Sequence, residues 1–167
     1  MANYLGEDRL EKHYTTDELI EELKSLQKRF YPQATSFLET SAGDGRLIDA
    51  FKDIIPDYIA YDIENETKRD DIKECNYMKE KIEYKKDRVC LQNPPFAKGI
   101  KFIYKALEEC DYCISILSVN SFLNIDYSKY WVDEIQIWRK VQFEKTKVSI
   151  CIVAIRKRKD GDVYEWE

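Results

Sequence analysis

The sequence predicts an α/β protein with a mostly parallel sheet. Short apolar runs of strand length alternate with segments whose apolar residues recur at helical spacing. No internal repeat, low-complexity tract or Gly/Ser linker interrupts that alternation. The length of 167 residues suits one compact domain, residues 1–167, with a full core.

Each element follows from a local pattern. Thr15-Thr16-Asp17-Glu18 opens the first helix, with Thr15 as the cap and Glu18, three residues on, completing a capping box. Leu19, Ile20, Leu23 and Leu26 recur at helical spacing, and Tyr31-Pro32 ends the helix. Ser36–Glu39 is a short strand that runs into a loop of small residues, Thr40 to Gly45. Leu47, Ile48 and Phe51 give the next helix its apolar face, and Pro56 breaks it. Tyr58–Tyr61 is a second strand ending at Asp62, and a weak third lies near Asp70 to Ile72. Arg88–Leu91 is a strand that runs directly into Asn93-Pro94-Pro95-Phe96. Ile100, Ile103, Tyr104 and Leu107 place a helix over Gly99–Glu109. Tyr112–Val119 is a buried strand, and two more are expected at Glu134–Trp138 and Val148–Arg156.

Composition narrows the class. Hydrophobic residues at 44% and charged residues at 35% are the profile of a soluble globular protein. No apolar run approaches the ~20 residues of a membrane helix. The segment Met1–Lys12 lacks the apolar stretch of a signal peptide. A cytoplasmic protein with no membrane partner is expected. Five cysteines in no regular framework fit a reducing compartment. Cys110-x-x-Cys113 invites a metal reading, but His13 is the single histidine and no second CxxC completes a four-ligand site. Cys113 opens an apolar run, so a buried thiol packing as a small hydrophobe is expected, and no metal. The net charge of −5 does not advertise a nucleic-acid binder, yet phosphate contacts depend on local patches. Basic residues gather at Lys98, Lys101 and Lys105, at Arg139, Lys140, Lys145 and Lys147, and at Arg156 to Lys159.

Three features carry chemistry. The loop Glu39-Thr40-Ser41-Ala42-Gly43-Asp44-Gly45 lies at the carboxyl end of a strand, where open parallel sheets bind ligands, and its glycines let the backbone approach one closely. Asp62, with Glu64 in the same turn, ends the next strand, the usual place for a carboxylate that accepts from ribose hydroxyls. Asn93-Pro94-Pro95-Phe96 is the sharpest signal. Two prolines fix the backbone and remove two donors. The Asn93 side-chain carbonyl and the Pro94 main-chain carbonyl are left as acceptors. An amino group conjugated to a ring is a poor nucleophile, and two acceptors on its hydrogens draw it towards tetrahedral geometry and stabilise positive charge developing on nitrogen. Phe96 offers a flat face for a base.

Taken together, these residues resemble the amino-methylating, N6-adenine DNA methyltransferases that depend on S-adenosylmethionine, in the subgroup whose cofactor loop precedes the Asn-Pro-Pro-aromatic motif. The resemblance spans nearly the whole chain. It implies a Rossmann-like class I methyltransferase fold: a mostly parallel seven-stranded sheet, an antiparallel C-terminal hairpin (looking like Phe143 to Lys157) and helices on both faces. His13-Tyr14-Thr15-Thr16 is similar to the N-terminal cofactor motif, usually Tyr-Thr-Pro, so Tyr14 and Thr15 become cofactor contacts. Glu39, Thr40, Ser41, Ala42, Gly43 and Gly45 would hold the methionine part, Asp62 and Ile63 the ribose, and Asp71 and Ile72 the adenine. Asn93, Pro94, Pro95 and Phe96 match the catalytic motif, Asn93 also facing the cofactor.

Two departures are visible: Thr16 stands where the family has Pro, and Gln92 precedes the catalytic Asn. The family's DNA-modifying members usually carry an added target-recognition domain, and no such domain is expected in this chain. The implied substrate is nucleic acid, DNA ahead of RNA, with a separate recognition subunit or a homodimer as partner. The same tetrapeptide also serves methyltransferases of RNA adenine and of protein glutamine, and a non-catalytic cofactor-binding subunit is the reading from another class.

Overall fold

The computed structural model describes residues 14–143 and 146–164. His13, the residues before it, Glu144, Lys145 and the three final residues lie outside that description. The elements in order are α1 (Asp17–Phe30), β1 (Ser36–Glu39), α2 (Arg46–Phe51), β2 (Asp57–Asp62), β3 (Lys73–Glu74), β4 (Arg88–Gln92), α3 (Gly99–Glu109), β5 (Tyr112–Ser118), β6 (Tyr130–Phe143) and β7 (Thr146–Lys157). Single turns of 3-10 helix occupy Tyr77–Lys79, Phe96–Lys98 and Ser121–Asn124.

The strands form one seven-stranded sheet in the order β3-β2-β1-β4-β5-β7-β6. Pairings from β3 through β5 are parallel, and β7 runs antiparallel to both β5 and β6. Strands β1 and β4 are buried on both faces, as a sheet covered by helices on each side requires. Alternate residues feed two apolar layers. Phe37, Val89, Leu91, Ile114, Ile150 and Ile152 pack with α1 and α2. Leu38, Cys90, Cys113, Leu117, Cys151 and Val153 pack with α3. Cys110 and Cys113 are both buried in the second layer. Burial pushes the thiols of Cys90 and Cys110 well above their ordinary value, which suits inert packing.

Three sequence expectations shift. The cap of α1 is Thr16, whose Oγ1 accepts from Leu19 N–H at 3.4 Å. Thr15 is released for another role, and the capping box anchored on it does not form. The third strand is Lys73–Glu74 rather than Asp70–Ile72. The Asn65 side chain accepts from Arg69 N–H at 3.1 Å and donates to the Arg69 and Ile72 carbonyls at 2.7 and 3.1 Å. These bonds hold residues 65–72 in a turn until the ladder starts. Strand β6 extends well beyond Glu134–Trp138, because register shifts at Val132/Glu134 and Trp138/Val141 break the alternation that marks a strand. No helix among the described residues is long and apolar enough to cross a membrane.

Gly99 allows α3 to start against β5. A Cβ there would lie 2.4 Å from Leu117 Cδ2, so a larger residue would require the buried Leu117 side chain to shift.

Candidate active site

The order of strands reverses between β1 and β4, and loops leave the carboxyl ends of both. That is the crevice where open α/β sheets bind ligands. A cavity of about 300 Å3 lies there, at the lower end of the ~300–1,000 Å3 typical of small-molecule sites. Its wall includes Glu39, Thr40, Ser41, Ala42 and Gly43 from the loop after β1, with Asp62 and Ile63 from the end of β2.

The loop is held by specific bonds. Gly43 N–H donates to Asp62 Oδ2 at 2.8 Å, and Ala42 N–H donates to the Tyr61 carbonyl at 2.9 Å. Gly43 and Gly45 have φ of +60° and +86°, a region that side chains rarely adopt. Behind Gly45 lies Arg69, close enough that a Cβ would sit 2.1 Å from its Nη1. Arg69 in turn bonds Asp49 and Asp71. Gly45→Ala is expected to destabilise the fold by roughly 2 kcal/mol from backbone strain and the displaced guanidinium, measured as a lowered melting temperature.

The turn Asn93-Pro94-Pro95-Phe96 leaves the end of β4, beside this loop. Asn93 Nδ2 donates to Thr15 Oγ1 at 3.3 Å, and both residues, with Pro95, reach the cavity wall. Pro94 and Phe96 do not line it. Pro94 is buried, and Phe96 turns to the other side, packing edge-on to Phe143 at 6.4 Å and 76°. The turn therefore stands between the cavity and the tip of the β6–β7 hairpin.

Gln92, fully buried, fastens the strand ends together. Its Oε1 accepts from the Thr40 hydroxyl at 2.6 Å and from Cys90 Sγ at 3.3 Å, while its Nε2 donates to Ser115 Oγ at 3.1 Å. One amide thus joins the loop after β1, the turn after β4, and β5. Gln92→Leu leaves the Thr40 and Ser115 hydroxyls without this partner, and a loss of roughly 2–3 kcal/mol is expected in urea unfolding.

The N-terminal segment crosses the same cavity. Tyr14 donates to Glu66 Oε2 at 2.6 Å. Arg46 lies 5.2 Å from the Tyr14 ring centroid and donates from Nη1 to the Thr15 carbonyl at 3.1 Å, while its Nη2 bonds Asp44 at 2.7 Å. Arg46 so ties the Tyr14-Thr15 segment to the glycine loop. Sequence reading passed it over, although it follows the last loop glycine directly.

The far end of the cavity departs from expectation. Asp71 and Ile72 do not reach it. Asp71 accepts from Arg69 at 2.8 and 2.9 Å and from Tyr58 Oη at 2.8 Å. The Arg69 guanidinium holds its carboxyl well below the usual carboxylate range. Ile72 is a core residue. Gly45 likewise turns the backbone from behind the wall. The end wall is formed instead by Asn76, Tyr77 and Met78, which follow β3. Asn76 Oδ1 accepts from Met78 N–H at 3.0 Å. The Tyr77 hydroxyl donates to Glu109 Oε1, whose other oxygen takes Lys105 Nζ at 2.6 Å, and Nζ lies 3.8 Å from the Tyr77 ring centroid. The signal was an Asn-Tyr-Met run placed just after a strand that the sequence reading ended too early.

Two buried carboxylates lie in the cavity wall. Asp62 accepts main-chain N–H groups on both oxygens, from Gly43 at 2.8 Å and from Glu64 at 2.9 Å, and it lines the cavity at the end of β2. Glu39 is fully buried. Its Oε1 accepts from Ser41 N–H at 2.9 Å, but its Oε2 is buried with no hydrogen-bond partner. Burial first, and then the Asp62 charge, push its carboxyl up to about 8.

No protein-family model matches the chain, and no curated protein matches it in sequence. Solved structures do resemble it. A proposed RNA methyltransferase from Pyrococcus horikoshii has a TM-score of 0.70 at 17% identity, over 89% of this chain and 87% of that one. The 23S rRNA methyltransferase ErmE has a TM-score of 0.67 at 12% identity, over 88% of this chain and 70% of its own. A modification subunit of a proposed type I restriction enzyme from Vibrio vulnificus has a TM-score of 0.67 at 10% identity, over 87% of this chain but 44% of the subunit. At such identities the likeness speaks to architecture, and together with the strand order it shows that the chain has the Rossmann-like class I methyltransferase fold.

Proposed function

We propose that this chain transfers a methyl group from S-adenosylmethionine to N6 of adenine in nucleic acid, DNA being the first substrate to test. The observation that carries the reading is the meeting of two loops at one cavity: Glu39–Gly43 after β1 and Asn93–Pro95 after β4. The cofactor supplies an electrophilic methyl group on a sulfonium sulfur. The residues present fit it. Glu39 Oε2, buried and lacking a hydrogen-bond partner, suits the ammonium of its methionine part. Asp62 stands at the strand end where ribose hydroxyls donate. Asn76, Tyr77 and Met78 close the far end, where an adenine ring would lie.

The chain's own contribution is placement. Thr15 fixes the Asn93 amide so that its carbonyl, followed by that of Pro94, accepts from the two hydrogens of the target amino group. Phe96, backed edge-on by the buried Phe143, lies on the hairpin side of the turn and offers aromatic surface to the base. Gln92 keeps the cofactor loop and this turn in register, so much of the rate would come from alignment. The base must be unstacked or already single-stranded to enter.

RNA is the second reading. Two of the solved structures that share the fold, the Pyrococcus protein and ErmE, carry RNA in their descriptions. Incubation with methyl-labelled cofactor and separate DNA, RNA and protein pools decides among them. Label confined to protein would overturn the nucleic-acid reading, and tight cofactor binding without turnover on any pool would favour a non-catalytic subunit.

A further inference from the structure

Resting on the nucleic-acid reading above, we propose that the tip of the β6–β7 hairpin is the docking surface for the sugar–phosphate backbone of the substrate strand. Arg139, Lys140 and Lys147 take the phosphates beside the target nucleotide.

The hairpin overhangs the sheet on the site's side. Strand β7 pairs with β5 from Ile155 to Ile150, where Ile150 faces Ser118 at the carboxyl end of β5. Beyond that point β7 pairs with β6 alone, through Val141↔Val148 and Phe143↔Thr146. The overhang is fixed to the proposed catalytic turn. Phe143 is 2% exposed and edge-on to Phe96, and Trp138, Val141 and Val148 pack on the same apolar layer. The tip is therefore anchored by its apolar face beside Phe96, on the side of the turn away from the cofactor cavity.

Its net charge is positive. Arg139 and Lys140 sit in the register shift between Trp138 and Val141, where Lys140 has φ of +52° and its N–H donates to Ser149 Oγ at 3.3 Å. Arg139, Lys140 and Lys147 are all exposed, and none is in an ion pair among the described residues. Several cations elsewhere are paired, Arg156 with Asp133 and Asp162, Lys105 with Glu109, and Lys157 with Glu108. The intervening Glu144 and Lys145 add no net charge. In a chain of net charge −5, unneutralised cations beside the turn favour a polyanion, and phosphate contacts fix a strand's register without reading its sequence.

The decisive experiment is binding of a short adenine-containing single strand, as DNA and as RNA, across a salt series. One variant carries Arg139→Glu, Lys140→Glu and Lys147→Glu. The control carries Lys86→Glu, Lys129→Glu and Lys159→Glu, the same change of charge at the opposite end of the sheet. Melting temperature and S-adenosylmethionine affinity report that both remain folded. The hairpin variant should lose on the order of 100-fold in affinity at about 0.1 M salt, and about 2–3 from the slope of log K against log salt. The control should stay within about threefold of the parent. Equal losses in both variants, or none in the hairpin variant, would overturn the docking surface. Methyl transfer is scored separately. Hairpin-dependent binding without transfer leaves this surface standing and removes the N6-adenine reading, whereas a parent chain that binds neither strand removes both. Retained strand binding with lost binding to an acidic protein would reassign the tip to a protein partner.

Discussion

Asn93→Ala is expected to slow methyl transfer by about 100- to 1,000-fold, the cost of removing one preorganised acceptor from a developing charge. Asn93 is the one residue of its turn that reaches both the cavity wall and, through Nδ2, the Thr15 hydroxyl. Truncation therefore removes the acceptor and frees the Tyr14-Thr15 segment at the same time. The second effect is smaller. Arg46 still bonds the Thr15 carbonyl, so cofactor affinity should fall by less than about tenfold, in line with one lost neutral hydrogen bond. Turnover with labelled cofactor and cofactor titration by calorimetry separate the two effects. Asn93→Asp retains acceptor oxygens and should lie between the parent and alanine. Parent-like turnover in Asn93→Ala would remove the side-chain carbonyl from the reaction.

Much of the fold was legible because periodicity reports burial. Helices α1 and α3 and the doubly buried strands β1, β4 and β5 stand where apolar spacing put them. What escaped was set by side chains reaching main chain. Asn65 decided where β3 begins, and Thr16, not Thr15, caps α1. These contacts join residues whose spacing carries no apolar signal. The site follows the same division. Glu39 to Gly43, Asp62, Ile63, Asn93 and Pro95 meet at the cavity because strand ends bring them there. Asp71 belongs to the Arg69 network because an arginine between two carboxylates outcompetes a cavity wall for it. Tyr77 was invisible as a site residue, since its partner Glu109 is distant in sequence and meets it only across the folded sheet layer.

Glu39 should make cofactor binding depend on pH. In the free chain its carboxyl is raised to about 8, chiefly by burial and then by the Asp62 charge, with the Ser41 N–H opposing. Its pKa is higher folded than unfolded, so its contribution to stability is complete below the ordinary glutamate value and is lost as pH rises through about 8. The loss, on the order of 5 kcal/mol across that window, is the cost of a buried unpaired charge. An ammonium at Oε2 reverses the preference, because an ion pair holds the carboxylate ionised. Binding of the cofactor's methionine part near neutral pH must then release close to one proton. Affinity should rise by up to about tenfold per pH unit from about 6 towards 8 and fall again above, where the ligand's own α-ammonium loses its proton. Calorimetry in buffers of different ionisation enthalpy counts that proton directly. Glu39→Gln should abolish both the proton release and the slope, and should weaken binding at about pH 8 by roughly 10- to 100-fold, since a neutral amide offers no counter-charge. Because the free variant no longer buries an ionising group, its own stability should rise relative to the parent above neutral pH. Opposite signs for stability and binding from one substitution are difficult to obtain from mere misfolding. An affinity flat across this pH range, with no proton released, would mean that the ligand's cationic group lies elsewhere.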